Sequence, residues 1–466
     1  MSANEPTPPK ITRRSATKLL GGAFLSSVAA PALGWAEEQT VTQQQAAAQP
    51  PYSRLLSDAD LDFLEEMEHA ACLYFAEQAD PTTGQVLDRA HSKNPTGALD
   101  QYFVSSIAAT GFGLTALCIA DNKGYFPTDR LRKQVITTLD FHLNKMPHQH
   151  GFYSHFNDVK TGKALINSEV SSIDTAIFLC GVLTARVYFG DRQIMDLATQ
   201  IYNRVDWPWM LNGGKTFSMG WRPETGFIST RWDHYSELMM LYLLAIGSPT
   251  HPISPESWSA WTRPPMTFGP YTYISGKDPL FVHQYSHAWF DFGRQRDAFA
   301  NYFTNSITAT RAHKAFCLSL NRGYSDDYWG VSASDWAHGY TAWGGPPLMG
   351  PVDGSVVPCA AAGSLPFLPR DCVHMLRALR DNFGKDAWGR YGFCDAFHPD
   401  LHWFDTDVIG IDLGIGLLMA ENLRSAFVWE TFMQNPEAVA AMKACGFHSA
   451  RVANPEEPKT SSPKPS

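Results

Sequence analysis

The sequence predicts an all-α fold: an (α/α)6 toroid or barrel of helical hairpins, with long rim loops and little strand. Three observations lead there. Segments apolar on every side alternate with amphipathic segments five or six times along the chain. A helix that is apolar all round is buried, and one with a single apolar stripe lies outside it. The long irregular loops fall before the all-apolar segments, which gathers them on one rim of a closed ring. A solenoid would also alternate, but at a fixed repeat length.

The elements follow in order. Residues 57–79 open on a Ser/Asp cap and carry an apolar stripe through Leu61, Leu64, Met67, Ala71 and Tyr74, so they form an outer helix. Residues 105–120, SSIAATGFGLTALCIA, are small and apolar on all faces, an inner helix. Residues 127–146 begin with Pro and turn amphipathic again, an outer helix. The stretch 151–169 alternates aromatic and polar residues around Gly and reads as a hairpin or excursion. Inner helix 168–189 and outer helix 191–206 follow, then an irregular Trp-rich piece to residue 230.

Residues 231–248, RWDHYSELMMLYLLAIGS, are predicted as a single inner helix, on which Asp233 and Glu237 would share a face. A Pro-rich stretch leads to an inner element at 281–295 and an outer helix beyond it. A loop dense in Gly, Trp and Asp spans 321–358. A short inner element, an outer helix from Pro369 and a Gly-rich inner helix at 410–433 complete the set.

Composition narrows the function. The 466 residues are 44% hydrophobic and 18% charged, an ordinary globular balance. A formal charge of −9 argues against nucleic acid and anionic membranes as partners. Fourteen Trp suit both a core and platforms for sugar rings. Zinc is not expected, because no HExxH or paired CxxC occurs, and no other metal or cofactor is called for. Cys72, Cys118, Cys180 and Cys317 sit in apolar helical text and read as buried free thiols.

The N-terminus, 1–36, reads as a twin-arginine signal. Arg13 and Arg14 precede a weakly hydrophobic run too short and too rich in small residues to span a membrane, and no later segment looks like a span. The expected route is the twin-arginine export machinery, the expected location the periplasm. Residues 37–52 read as a disordered linker, 53–451 as the catalytic domain and 452–466 as a disordered tail.

The inner elements open with polar residues: Ser105 and Ser106; Glu169, Ser171, Ser172 and Asp174; Asp233, Tyr235 and Glu237; His283, Tyr285 and His287; Asp405, Asp407 and Asp412. The preceding loops add Asp88, Arg89, Asp335, Trp343 and Asp353, and Trp232 stands beside Asp233. Taken singly, a Ser or Asp at a helix start is a cap, and an acid in a first turn complements the macrodipole. As a set they describe an acidic, aromatic-walled hollow. That suits glycoside hydrolysis, which needs a protonated acid at the leaving oxygen and an ionised partner across the ring. A carboxyl against aromatic walls stays protonated. Glu237, among Trp232 and Tyr235, is therefore the candidate acid, and Glu169 or Asp174 the candidate base. Asp88, Arg89, Trp232, Asp233, Tyr235, His283, Tyr285, His287, Asp335, Trp343 and Asp353 are candidate substrate contacts. A polysaccharide lyase using His234, Tyr235, Tyr285 and His287, a transglycosylase on the same fold, and a non-catalytic periplasmic sugar-binding protein are the alternatives.

Several runs carry a family resemblance: SSIAATGFGLTAL, SEVSSIDTAIFLCG, RWDHYSELMMLYLLAIGSPTHPI, PLFVHQYSHAWFDF, SASDWAHGYTAWGGPP, DGSVVPCAAAGSLPF and YGFCDAFHP. Together they resemble the bacterial glycoamylase-like family, including glycoside hydrolase family 144, the endo-β-1,2-glucanases. The resemblance implies an (α/α)6 barrel, a periplasmic β-1,2-glucan or related oligosaccharide as substrate, no metal and inversion at the anomeric carbon. By motif, the family's acidic cleft residues fall on Glu169, Asp174 and Glu237.

Overall fold

A computed structural model describes residues 52–165, 168–276, 279–346, 352–451 and 454–455. The signal and all of the linker but Tyr52 lie outside these residues. Tyr52 itself is buried, its ring stacked on Phe303 at 5.3 Å. Of the predicted tail, only Asn454 and Pro455 are described.

The helices are α1 (Asp58–Glu77), α2 (Ile107–Lys123), α3 (Thr128–Asn144), α4 (Ser172–Phe189), α5 (Arg192–Asn203), α6 (Trp207–Leu211), α7 (Met239–Gly247), α8 (Glu256–Ala260), α9 (Tyr302–Ser319), α10 (Pro358–Ala362), α11 (Pro369–Ala387), α12 (Gly410–Ser425), α13 (Phe427–Phe432) and α14 (Pro436–Ala444). Helix α1 starts where its sequence says it should. Ser57 and Asp60 form a reciprocal capping box that satisfies two free amides.

Six inner elements close a ring. Helix α2 packs on α4, α4 on α7, α10 on α12, and α12 back on α2. The sixth element is not the helix predicted at 281–295. It is two 3-10 turns, Leu280–His283 and Tyr285–Ala288. Their backbone is tied sideways: Ser286 Oγ accepts from Met240 N at 3.0 Å and donates to the Glu237 carbonyl at 2.7 Å. Gln284 Nε2 donates to Ala360 O at 3.0 Å and Ser364 Oγ at 2.8 Å, joining this element to α10. Outer helices α1, α3, α5, α9 and α11 lean against the ring, while α13 and α14 cover its closed end. There, Arg186 in the last turn of α4 pairs with Glu437 at 2.7 Å.

The contact between α2 and α4 is set by Gly111 and Gly181. A Cβ at Gly181 would lie 2.0 Å from the Gly111 carbonyl oxygen, and one at Gly111 would lie 2.5 Å from the Ile177 carbonyl. Backbone meets backbone here, and no side chain fits. Helix α4 is also long and apolar enough to cross a membrane by composition, contrary to expectation, but it is an inner helix of the ring and 83% of its residues are buried. All eight Cys are free, seven of them buried.

The predicted helix 231–248 begins eight residues late, at Met239. Its first residues spend their backbone groups on neighbouring loops. Trp232 N donates to Phe217 O at 2.9 Å, Tyr235 N to Thr262 O at 2.9 Å, and Thr262 N to Asp233 O at 2.8 Å. Backbone groups pair once, and those committed to a loop cannot build a helical turn. Asp233 and Glu237 therefore share no helix face.

Candidate active site

Short ladders of two or three strands cover the open ends of the inner helices. Residues Arg89–His91 pair with Asp407–Ile409, Val104–Ser106 with Phe156–Asp158, and Val170–Ser171 with Gly220–Arg222. Between them, two peptides each join two helix starts. Asp88 donates its N–H to Val104 O at 2.9 Å and accepts from Gly410 N at 2.8 Å. His155 accepts from Ile107 N at 3.1 Å and donates to Glu169 O at 2.9 Å. Asp88 thus sits between the starts of α12 and α2, and His155 between those of α2 and α4.

His155 organises the first acidic group. Its Nδ1 lies 3.4 Å from Glu169 Oε1 and its Nε2 3.7 Å from Asp174 Oδ1. Arg222 Nη2 approaches Glu169 from the other side at 3.5 Å. Asp174 Oδ2 accepts from the Ser171 hydroxyl at 2.5 Å, and Ser171 in turn caps α4. Burial works against a charged His155, but Asp174 foremost, then Glu169 and Asp88, outweigh it and raise its pKa to about 9. The hydrogen bond from His155, with Arg222 adding, holds Glu169 below the usual carboxylate range against the effect of burial. As helix positions five apart, Glu169 and Asp174 would point in different directions. Glu169 instead precedes α4 in extended backbone, and both carboxylates turn to one imidazole.

The second group lies on the other side of the α2 start, toward α12. Arg89 Nη1 bonds Asp335 Oδ2 at 2.6 Å and lies 3.7 Å from Asp407, with its Nε 3.5 Å from Asp88. Tyr102 donates to Asp407 Oδ2 at 2.9 Å. Asp335 stands on the hairpin Ala333–Trp336/Gly339–Ala342, and its N–H donates to Asp395 Oδ2 at 2.8 Å. Asp395 and Asp412 are neighbouring buried carboxyls that influence each other's titration. Burial raises Asp412 to about 6 and, together with Asp412, drives Asp395 well above the carboxylate range. Burial and then the neighbouring Asp335 raise Asp405 to about 7. Asp88 is also raised, by burial first.

Glu237 is buried at the mouth of α7, and its charge is felt at Tyr285, as is that of Asp412. Trp232 is buried and donates Nε1–H to Ser172 Oγ at 2.9 Å, linking the approach to α7 with the start of α4. Glu237, Tyr285, Asp412, Asp88, His155, Asp174 and Glu169 therefore follow one another as electrostatic neighbours around a single rim.

Six expected substrate contacts are placed elsewhere. Tyr235 and His283 bond each other at 3.1 Å, Tyr235 being stacked on Tyr302 in the core. His287 meets Ser306 Oγ at 3.1 Å among Phe292, Phe303 and Phe367. Burial drives both His283 and His287 down to about 3, leaving them neutral packing groups. Trp343 is fully buried, its Nε1–H spent on Ser334. Asp353 accepts from Ser355 N within its own turn. Asp233 is exposed, its carboxylate 2.9 Å from His234. Sequence reading did not single out His155 or Asp395. A lone His in a short excursion carries no spacing signal, and Asp395 shows only within YGFCDAFHP.

Two clusters have donors close enough to share a cation, with ligand atoms within 4.8 Å of one another: His155/Glu169/Asp174 and Asp335/Asp395/Asp405. In the first, His155 itself supplies the positive charge. In the second, Asp395 and Asp405 are both raised, with burial the first cause.

Residues 229–436 match the glycoamylase family, described as "Putative glucoamylase". A curated relative from Parabacteroides distasonis, an exo β-1,2-glucooligosaccharide sophorohydrolase, is 27% identical over 420 residues, covering 81% of this chain. The chain spans 57% of that relative's length. The endo-β-1,2-glucanase of Chitinophaga pinensis, solved with sophorotriose and glucose, superposes with a TM-score of 0.75 at 26% identity, covering 84% of this chain and 99% of its own. The β-1,2-glucanase of P. distasonis gives a TM-score of 0.76 at 25% identity, covering 83% and 60%. The resemblance to the bacterial glycoamylase-like proteins, and to glycoside hydrolase family 144 among them, is borne out, as is the helical-toroid fold class.

Proposed function

We propose that this glycoamylase-like chain is a glycoside hydrolase that cleaves β-linked glucan, with β-1,2-glucan or its oligosaccharides as substrate. One observation carries the proposal. Carboxyls of opposed character, some held ionised and some held protonated, meet on a single rim of a helical ring. Glycosidic cleavage needs that division of labour. The names of the relatives support the linkage.

Glu237 is the proposed acid, donating to the leaving oxygen from its buried place beside Tyr285. The base is drawn from Glu169 and Asp174, acting on a water with inversion. His155 holds Glu169 ionised through its hydrogen bond. The lyase alternative loses two of its four groups, since Tyr235 and His287 are locked in the core. Export through the twin-arginine machinery to the periplasm is part of the same reading, resting on Arg13 and Arg14. Cell fractionation of an Arg13→Lys/Arg14→Lys variant tests it, with retention in the cytoplasm expected.

Linear β-1,2-glucan incubated with the protein should release short oligosaccharides. Glu237→Gln should lower that release by about 10²-fold or more, the scale of a lost general acid. Full activity in the variant would reject Glu237 as the acid, and no turnover by the wild type would reject the substrate.

A further inference from the structure

Beside the acidic rim lies a second hollow of about 800 Å3, lined by residues 91–101, 402–406 and Asp386. It shares His91 and Asp405 with the edge of the candidate site, for His91 pairs in register with Asp407 and Asp405 belongs to the carboxyl group around Asp335. Asp405 thus borders both the hollow and the carboxyl group around Asp335.

The wall of this hollow is built in advance. Asn94 Oδ1 accepts from Thr96 N at 3.2 Å and Gly97 N at 3.0 Å, folding the loop on itself. Gln78, buried on the flank of α1, donates to Ala98 O at 3.0 Å and accepts from Asp100 N at 2.8 Å. Ser92 O accepts from Arg390 N at 2.8 Å, and Gly389 packs so close that a Cβ there would lie 2.0 Å from Ser92 O. A loop pinned at both ends by buried groups holds its shape without a ligand.

Its lining chemistry is mixed. Trp403 is only half-buried and lines the hollow. Gln101 and Thr406 supply neutral polar groups, Asp100, Asp386 and Asp405 carboxyl groups, and Lys93 a cation. An aromatic face among polar donors and acceptors suits a ligand with apolar faces and many hydroxyls, and the volume falls within the usual range for ligand sites.

From this geometry we infer that the hollow is an outlying subsite that holds further sugar units of the glucan chain, with Trp403 as its stacking platform. The inference rests on the glucan-hydrolase reading and adds where the chain runs after it leaves the acidic rim. A long oligosaccharide gains this contact and the shortest cleavable one does not, so the subsite acts on KM in a length-dependent way.

The test compares kcat/KM for a long linear β-1,2-glucooligosaccharide with that for the shortest cleavable one. In Trp403→Ala the long-to-short ratio should fall about tenfold, as expected for loss of one aromatic face that buries apolar sugar surface. Thr406→Trp, which obstructs the hollow from its exposed edge and removes no packed side chain, should lower the same ratio through KM. A general loss of folding would lower both substrates together and leave the ratio alone. An unchanged ratio in Thr406→Trp, with wild-type turnover intact, overturns the subsite and spares the hydrolase. No wild-type turnover of any β-1,2-glucan overturns both.

Discussion

Removing His155 gives a stability change with a defined pH signature. In His155→Gln the cation between Glu169 and Asp174 disappears. The imidazole has a pKa of about 9 in the folded protein and an ordinary value of 6.5. At about 1.4 kcal/mol per pH unit, that gap is worth about 3 kcal/mol. The side chain is 30% exposed, so water's access reduces it to about 2–3 kcal/mol.

The sign follows from the raised pKa. Stabilisation is fully present below pH 6.5 and is lost as the pH climbs through about 9. Urea unfolding of wild type and variant at pH 6, 7.5 and 10 should show the largest deficit at pH 6 and most of it gone at pH 10. A small pH-independent remainder is expected from the lost stack on Phe156, whose ring lies 3.8 Å away. A deficit equal at pH 6 and pH 10 would refute the view that charge holds this corner together.

Two further perturbations probe the ring itself. Gly181→Ala sets a methyl against the Gly111 carbonyl, so α2 and α4 must separate; a loss of about 3 kcal/mol in urea unfolding is expected, at the upper end of overpacking costs. Arg424→Met strips a cation from Glu68 in the middle of α1 and Glu421 in the last turn of α12, two fully buried carboxyl groups. The cost should be about 3–5 kcal/mol near pH 8 by thermal or urea unfolding. It should shrink as the pH falls toward 4.5, because Glu68, already raised well above the carboxylate range by burial and by Glu421, costs nothing once protonated in both states.

The ring was legible because its inner helices must be apolar on every side, and α2, α4, α7 and α12 are. The inner element at 280–288 was harder to read. Its residues His283 and His287 read as the polar mouth of a helix, but with Gln284 and Ser286 they are cross-ties between neighbouring elements, invisible until the partners are known. Asp233 was misjudged for a related reason: periodicity says which residues could lie on one helix, and tertiary hydrogen bonds decide where the helix begins. Glu169 and Asp174 could be picked from the sequence as acids near a helix start. Their meeting at His155 depends on a strand pairing between residues 52 positions apart, Ser105 and Asn157, which no local pattern announces.

The peptides of Asp88 and His155 each serve two inner helices at once. A one-residue insertion beside either would therefore displace two walls of the rim together, and the error could not be absorbed by a single loop. Variation in this scaffold should consequently gather in the outward arcs, such as 92–101, where length can change while these two hinge points stay in phase. Anyone seeking to alter which chain lengths the protein accepts has most freedom there.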